Sequence, residues 1–420
     1  MSDSRETSMK LMEDLLVNKR FNISSSLSSD KEDTAFITML TLTALRHLVY
    51  IRKVLKNFIN KKLSSQNIVG QAALILGSTE LLYMNTPDYA VINSYVNLVK
   101  KQTNRYIAGF VNAVLRKISQ NKQELISRDT HAFFSHDFRT LLKKDYSPKI
   151  IDEIEKVSIL EPALDITCND IDSAKKLNGK LLPLGTIRLT TKGNISGLSD
   201  YKKGTWWVQD FSSSLPVKML GNLKGKKVLE LCAAPGGKTA QLLNAGAELT
   251  CLDVSAERIK TLNENLERLK MKPENIICAD GLDFLQQTDE KFDVVLLDAP
   301  CSATGTLRRH PEVVHLKTLQ DVEKQAVLQK KFLEKINNVL NPNAILLYCV
   351  CSLCKAEGEQ QIRDFLKNNP SFVTVSLKEE IPAELSCLLT SEGWIRVLPS
   401  HLASFGGADG FFIACLKKEN

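Results

Sequence analysis

The stretch VLELCAAPGGKTAQLL, residues 228–243, combines a short apolar run, a glycine-bearing turn and the start of a helical pattern. The same alternation continues to the end of the chain, for example in ELTCLDV followed by SAERIKTLNENLERLKM. Near-continuous apolar strands that alternate with helices are typical of a parallel sheet covered by helices on both faces. The sequence therefore predicts a doubly wound, Rossmann-like α/β domain over residues 221–420.

Two other patterns precede this domain. Residues 1–140 carry apolar side chains at three- and four-residue spacing, as in NIVGQAALILGSTELLYM, which predicts an all-helical domain. Residues 141–220 mix short apolar runs with turn sequences such as KLNGK and TKGNISG, which favour a small α+β connector. We therefore expect a helical domain, a connector and a larger α/β domain.

The composition is that of an ordinary globular protein. The chain has 420 residues, of which 43% are hydrophobic and 25% charged. No apolar run reaches the roughly 20 residues that span a bilayer, and the N-terminus lacks the apolar core of a secretory signal. We expect a cytoplasmic protein with no membrane contact, whose ten cysteines are free thiols.

Charge is distributed unevenly. Residues 1–150 contain 22 Lys and Arg against 13 Asp and Glu, a net charge of +9, whereas the remainder carries −2. A basic first third suggests a polyanionic partner, although a solvated basic surface explains the charge equally well.

Small, acidic and sulfur-bearing residues follow the predicted strands of the α/β domain. In open sheets of this kind, ligands bind outside the carboxyl ends of the strands. The residues at these ends are Cys232, Ala233, Ala234, Pro235, Gly236, Gly237 and Lys238, then Asp253, Asp280, Asp298 to Ser302, and Cys349 to Cys354. Their convergence on one edge is stronger evidence for a site than any single motif.

The glycine turn and two of the acids suggest an adenosyl ligand. Gly236 and Gly237 allow a close backbone approach, and the following helix N-terminus favours an anionic group. Asp253 is placed to hold a ribose diol, with a role near a helix N-cap as the alternative. Asp280 is placed for an adenine amino group, or is a turn residue. S-adenosylmethionine fits this set, whereas NAD fits poorly because the longer glycine pattern is missing.

The thiols suggest covalent chemistry on a pyrimidine. Metal binding is disfavoured because CVCSLC lacks the usual C-x₂-C pairs and histidine partners. Simple burial in the core is the alternative for Cys349, and Cys354 has no assigned role. A thiolate that adds to carbon 6 of cytosine makes carbon 5 able to accept a methyl group, and a second group then helps release the product. Cys351 and Cys301 leave neighbouring strands, and Asp298 is placed to bond the ring nitrogen. The base must be unstacked, so single-stranded or looped RNA is the expected substrate.

Three further residues are candidates for RNA contact. Arg308, Arg309 and His310 follow the loop after DAPCS, beside the predicted active edge. We predict that they contact RNA phosphates, with a solvated basic turn as the alternative.

Four segments resemble one enzyme family: LELCAAPGGKTAQLL, LLDAPCSATGTLRRHPEV, LLYCVCSLCKAEGEQQI and GGADGFFIACL. They are similar to the bacterial Fmu/Sun (RsmB-type) cytosine-C5 methyltransferases of small-subunit rRNA. The segments YMNTPDYAVINSYVNLVKK and GFVNAVLRKI resemble the NusB-like helical RNA-binding domain that precedes the catalytic domain in that family. The resemblance covers nearly the whole chain and implies a class I S-adenosylmethionine-dependent methyltransferase domain.

The resemblance also assigns roles. It implies that Cys232 to Lys238, Asp253, Asp280 and Asp298 bind S-adenosylmethionine, that Cys351 attacks the base and that Cys301 acts in product release. DNA cytosine methyltransferases attack with the thiol of their Pro-Cys pair, so Cys301 as the nucleophile is the mechanistic alternative. Cys349 and Val350 stand where the family has Ser and Thr.

These assignments lead to one expected activity and two alternatives. We expect a monomer without a metal that methylates carbon 5 of a cytosine in 16S rRNA. The alternatives are a cytosine-C5 methyltransferase that acts on tRNA and a non-catalytic assembly factor that binds rRNA.

Overall fold

The computed structural model describes residues 2–23, 31–59, 67–169, 177–189 and 195–420. These residues form two compact units. The helical unit comprises Met1–Thr140 with His310–Leu316, and the sheet unit comprises Leu141–Arg309 with Lys317–Asn420. The predicted connector therefore lies in the same unit as the predicted α/β domain, while the three-part division of the chain stays a prediction.

The helical unit is built on the apolar periodicity seen in the sequence. Its helices are α1 (Ser2–Asn18), α2 (Lys31–Phe58), α3 (Ile68–Tyr83), α4 (Asp88–Gln102), α5 (Arg105–Gln120) and α6 (Lys122–Ser127), and α7 (His136–Leu142) ends in the sheet unit. Helix α3 is buried along most of its length, as expected for a helix that is apolar on all sides. Helices α1 to α6 share one core of buried apolar side chains.

Helix α2 is long and apolar enough to cross a membrane by length and composition alone. Half of that apolar window is buried inside the unit, and core helices of globular proteins meet the same criterion.

A short segment from the second half of the chain completes the helical unit. In His310–Leu316, Val313 and Val314 are buried. Ser135 Oγ donates to the carbonyl oxygen of Val314 at 2.7 Å. His315 Nε2 lies 2.8 Å from the carbonyl oxygen of Leu45. The sequence pattern placed this segment in the α/β domain, whereas in the structure it packs within the helical unit.

The sheet unit begins with a small antiparallel sheet. After α8 (Pro148–Ser158), β1 (Leu164–Cys168), β2 (Gly179–Leu181), β3 (Ile187–Leu189) and β4 (Trp206–Val208) pair in the order β2-β3-β1-β4. Trp206 and Ile166 lie in its core.

The main sheet has eight strands. Its strands and the remaining α-helices, in chain order, are α9 (Phe211–Lys218), β5 (Lys227–Leu231), α10 (Gly237–Asn244), β6 (Glu248–Asp253), α11 (Ala256–Leu269), β7 (Asn275–Cys278), α12 (Gly281–Gln287), β8 (Phe292–Asp298), α13 (Val313–Leu316, in the helical unit), α14 (Leu319–Ile336), β9 (Leu340–Val350), α15 (Glu359–Asn368), β10 (Phe372–Thr374), β11 (Ile395–Val397) and β12 (Phe411–Lys418).

Five strands of the main sheet are parallel, as predicted. The order is β10-β12-β9-β8-β5-β6-β7, with β11 also paired to β12, and large apolar cores cover both faces. The last three strands pair antiparallel, which the expectation of a parallel sheet did not include. Strand β12 follows β11 through a loop and short 3₁₀ turns instead of a crossover helix, so it can run opposite to β9.

We expect the stability of the helical unit to depend on His315. Burial lowers the pKa of His315 to about 4, from an ordinary value of 6.5. The folded state therefore holds a neutral ring while the unfolded chain takes up a proton, so this residue makes the fold less stable as the pH falls from about 6.5 to about 4. His315→Gln, which can still donate to Leu45, should lose less stability over that interval in urea unfolding.

The control for this prediction is His136→Gln, at an exposed position in the same unit. An identical pH dependence for wild type and His315→Gln would contradict the prediction.

Candidate active site

The structure brings together the two thiols that the sequence singled out. Cys301 follows β8 and Cys351 follows β9, and their Sγ atoms lie 3.4 Å apart. The two strands are parallel neighbours in which Asp298 is paired with Cys349, so both chains leave the sheet at the same edge. Backbone hydrogen bonds extend this pairing beyond the strands, because Gly305 N donates to the carbonyl oxygen of Cys351 at 3.0 Å.

The two sulfurs are electrostatically coupled. The hydrogen bond with Cys351, burial and the charge of Cys351 raise the pKa of the Cys301 thiol well above its usual value. Cys301 is therefore a neutral thiol near neutral pH, and it can donate its proton to a hydrogen bond with the Cys351 sulfur.

Cys349 and Cys354 are buried sulfur atoms. Cys349 is fully buried, and burial together with the charge of Asp298 raises its pKa well above the usual range. Burial also raises the pKa of Cys354 to about 12. The burial of Cys349 agrees with the alternative that it is a core residue, whereas Cys351 is partly exposed.

An ion pair lies beside the thiols. Lys238 Nζ donates to Asp298 Oδ2 at 2.8 Å, and Cys349 Sγ lies 3.5 Å from Asp298 Oδ1. Burial is the largest single influence and would lower the pKa of Lys238, but the charge and hydrogen bond of Asp298, together with the charges of Cys349 and Cys351, outweigh it and the pKa is raised. The ammonium group therefore stays charged and holds Asp298, whose side chain remains about one-third exposed (32%).

The turn after β5 has the backbone shape that its glycines predict. Cys232 and Gly236 have positive φ angles of 62° and 103°. A Cβ atom on Gly236 would lie 2.5 Å from Leu262 Cδ1, so only glycine fits without displacement. Helix α10 begins at Gly237, and its first backbone N–H groups point towards the turn.

Asp253 joins this turn to the end of β6. Its carboxylate accepts hydrogen bonds from the backbone N–H groups of Ala234 and Ser255, both at 3.1 Å. It also pairs with Arg258 at 3.2 Å and is almost fully buried. Asp253 thus shapes the turn, and its contact with ribose stays a prediction.

Asp280 caps a helix. Its Oδ1 accepts from the N–H groups of Leu282 at 2.8 Å and Asp283 at 3.2 Å, at the start of α12. This geometry agrees with the turn-residue alternative, and the predicted contact with adenine remains a prediction.

The residues at this edge fit S-adenosylmethionine. Gly236 gives the turn a shape that a larger residue would disturb, since its Cβ would collide with Leu262, and the helix N-terminus behind the turn suits a carboxylate. Asp298, Asp253 and Asp280 place carboxylate acceptors for an amino group and for hydroxyl groups at or just after the ends of β8, β6 and β7, at the carboxyl edge of the sheet. Cys232 contributes a neutral thiol, since burial raises its pKa to about 12.

The basic residues after the Cys301 loop differ from one another. The Arg308 side chain is 1% exposed and pairs with the buried Asp409 at 3.9 Å, so its burial does not support the predicted contact with RNA phosphate. Arg309 also bonds Asp409 but is about one-third exposed. His310 is exposed and lies in the helical unit beside Glu312. The RNA contacts of Arg309 and His310 stay predictions.

Glu357 is a residue of this site that was not predicted from the sequence. This fully buried residue accepts hydrogen bonds from Ser302 and Ser352, which directly follow the two thiols. A glutamate after a strand is usually a solvated residue, and nothing in its sequence spacing separates the two cases.

We predict that Gly236→Ala impairs cofactor binding. The substitution adds a collision with Leu262 at a backbone angle that alanine disfavours, so the affinity for S-adenosylmethionine should fall by about tenfold or more. Titration calorimetry measures this directly. Gly221→Ala is the matched control, because Gly221 also has a positive φ of 65° but open space around it. Unchanged cofactor affinity in Gly236→Ala would show that the turn does not hold the cofactor.

The chain is similar to known proteins along most of its length. Residues 217–417 match the family described as 16S rRNA methyltransferase RsmB/F, and residues 2–120 match the NusB family. The fold resembles the crystal structure of PH0851, with a TM-score of 0.76, 20% identity and 99% coverage of both chains. A methyltransferase homologue from Pyrococcus horikoshii matches 68% of this chain and 99% of its own, with 27% identity and a TM-score of 0.55. These matches confirm the predicted fold class.

Curated relatives match over a similar extent. Ribosomal RNA small subunit methyltransferase B of Vibrio vulnificus is 27% identical over 92% of each chain. The protein of that name from Pasteurella multocida is 31% identical over 92% of this chain and 89% of its own. The similarity of the catalytic and helical parts, joined in one chain in the same order, confirms the resemblance drawn from the sequence motifs. The chain therefore belongs to the ribosomal RNA small subunit methyltransferase B family of S-adenosylmethionine-dependent enzymes.

Proposed function

We propose that this chain methylates carbon 5 of a cytosine in 16S rRNA through a covalent adduct with Cys351. The observation that carries the proposal is the 3.4 Å contact between two thiols at the ends of adjacent strands, beside the Lys238–Asp298 pair. A metal-free methylation of an amino or hydroxyl group has no use for paired thiols, whereas attack on a pyrimidine ring needs a nucleophile and a second group.

Cys351 forms and later breaks one bond to the base. Its thiolate adds to carbon 6, and the electrons of the carbon 5–carbon 6 double bond become available at carbon 5. S-adenosylmethionine, when bound, supplies the methyl group for that carbon. Asp298 bonds the ring nitrogen of the adduct, and Lys238 keeps the Asp298 carboxylate in place. Loss of the proton from carbon 5 then restores the double bond and expels the Cys351 sulfur.

Cys301 suits the release step. Before attack, its hydrogen bond to Cys351 and the charge of that sulfur are among the main causes of its raised pKa. Once the Cys351 sulfur is bonded to carbon 6, it carries no negative charge and no longer accepts the same hydrogen bond. Of the three main causes of the raised pKa of Cys301, only burial then remains. Cys301 can then lose its proton more easily and take part in removing the proton from carbon 5.

The helical unit offers a surface for RNA. Residues 89–123 contain six Lys and Arg and no Asp or Glu. Tyr89 and Tyr106 in this stretch are 73% and 81% exposed. Exposed aromatic rings among cations are suited to unpaired bases and phosphates, which supports an RNA-binding role for this unit.

We also propose that the protein acts in the cytoplasm as a monomer, without a metal. Within the described ranges, no group of three His, Cys, Asp or Glu side chains is arranged to hold a metal ion.

Methyl transfer to purified RNA tests the substrate class. With labelled S-adenosylmethionine, we expect label in unmodified 16S rRNA or small-subunit particles, and bisulfite sequencing should locate it at a cytosine. Transfer to tRNA alone would favour the tRNA alternative, and no transfer with intact RNA binding would favour an assembly factor.

The two thiols should respond differently to substitution. Cys351→Ser should abolish methyl transfer and form no adduct, because serine at neutral pH is a far weaker nucleophile than a thiolate. In the Cys301→Ser variant, the covalent adduct between protein and RNA should accumulate and appear as a slow band on denaturing gels, because release of the methylated RNA is blocked. Accumulation by Cys351→Ser instead would reverse the assignment and make Cys301 the nucleophile. Cys387→Ser, at an exposed thiol in the segment Ala383–Leu388, outside the loops that carry the pair, is the control.

A further inference from the structure

Glu357 lies between the two loops that carry the thiols. It is completely buried, just after the end of β9. Its Oε1 accepts hydrogen bonds from Ser302 N at 2.8 Å and from Gln329 Nε2 at 3.1 Å. Its Oε2 accepts from the hydroxyl groups of Ser302 and Ser352, both at 2.5 Å. One carboxylate therefore binds the residues that directly follow Cys301 and Cys351.

Other hydrogen bonds strengthen the same connection. Gln329 Nε2 also donates to the carbonyl oxygen of Pro300, the residue before Cys301, at 2.8 Å. Thr304 Oγ1 lies 3.0 Å from Ser352 Oγ and accepts from Leu353 N at 3.0 Å. The backbone on both sides of the thiol pair is thus held by buried groups that meet at Glu357.

A buried carboxylate of this kind is costly to place unless all its acceptor positions are used. Glu357 receives four hydrogen bonds, so the burial is compensated. Three of the four come from residues adjacent in sequence to a thiol. The carboxylate therefore constrains the positions of the two sulfur atoms more directly than it stabilises the rest of the domain.

We propose that Glu357 is a positioning residue that keeps the Cys301 and Cys351 sulfurs in contact. Its side chain is fully buried, and it acts through its hydrogen bonds to Ser302 and Ser352. The contact matters to catalysis because the proposed reaction needs one thiol to attack and the other to assist release, and this part of the inference rests on the proposed function. The contact between the two sulfurs is a feature of the structure and does not depend on the proposed function.

A trivalent arsenical measures the contact without RNA or cofactor. Phenylarsine oxide forms two arsenic–sulfur bonds with a pair of adjacent thiols, and the two thiol protons leave with the oxide oxygen as water. The wild-type protein should bind it tightly through Cys301 and Cys351, and Cys301→Ser should abolish the tight binding. Tight binding that persists in Cys301→Ser, or is missing in the wild type, would overturn the proposal.

Substitutions of Glu357 then test its role. Glu357→Ala should weaken arsenical binding by about tenfold or more, since the donors of both loops lose their acceptor. Glu357→Gln should stay within about threefold of wild type, because the amide oxygen can replace Oε1 and the amide N–H groups can donate to the serine hydroxyls. Wild-type affinity in Glu357→Ala, or equal weakness of the Ala and Gln variants, would contradict positioning by hydrogen bonds.

Glu230→Ala is the matched control. Glu230 is a buried acid on β5 that accepts from Thr239 at 2.6 Å and from Cys251 at 3.8 Å, and both partners lie outside the thiol loops. Its loss should lower stability but leave arsenical affinity unchanged. An equal loss of affinity in Glu230→Ala would show general loosening of the domain and overturn the specific role of Glu357.

Methyl transfer by the same variants separates the two proposals. Glu357→Ala should lower kcat while leaving KM for RNA little changed, since no RNA contact is removed, and Glu357→Gln should largely restore kcat. A wild-type protein that binds the arsenical tightly but methylates no RNA would refute the proposed function and leave the positioning role standing. Normal kcat in a Glu357→Ala protein with weakened arsenical binding would refute the catalytic meaning of the contact.

Discussion

The parallel pairing of β8 with β9 is the constraint on which the site depends. Both strands are buried on both faces, and they pair from Val294 with Ile345 to Asp298 with Cys349. A slip of one residue would turn every side chain of one strand to the opposite face. It would also separate the thiols, because Cys301 and Cys351 each lie a fixed number of residues beyond the last pair. The large apolar cores above and below the sheet therefore hold the register that brings the two sulfur atoms into contact.

Buried charged groups hold the loops that follow the ends of these strands. Asp409 pairs with Arg308 and Arg309 of the loop after Cys301, while Arg396 pairs with Glu359 and donates to the carbonyl oxygen of Ser352. Such groups are poor sources of stability, since their desolvation offsets much of their attraction. They do impose geometry, because a partner that moves leaves a charge uncompensated. Loops that must place reactive atoms within a few tenths of an ångström gain from that property.

The loop that carries Cys301 also links the two units along the chain. Its continuation, His310–Leu316, belongs to the helical unit and buries Val313 and Val314 there. The alternation of strands and helices that defines the α/β domain gives no sign that this seven-residue segment packs among the helices of the other unit. Periodicity reports which face of an element is apolar, and it does not report which core will receive that face.

How far the sequence determined this protein differs from feature to feature. Apolar periodicity was sufficient to predict the helical unit and the five parallel strands, because it follows from local backbone and side-chain properties. The prediction of S-adenosylmethionine needed more than the glycine turn of residues 232–238, since it also used the acids Asp253 and Asp280 after neighbouring strands. The neighbouring positions of Cys301 and Cys351 also followed, since parallel strands end at a common edge. Only the tertiary structure decided that Arg308 is buried, that Asp280 caps a helix and that Glu357 joins the two thiol loops. The burial and partners of a charged side chain depend on residues distant in sequence, and a pattern of neighbours along the chain does not contain them.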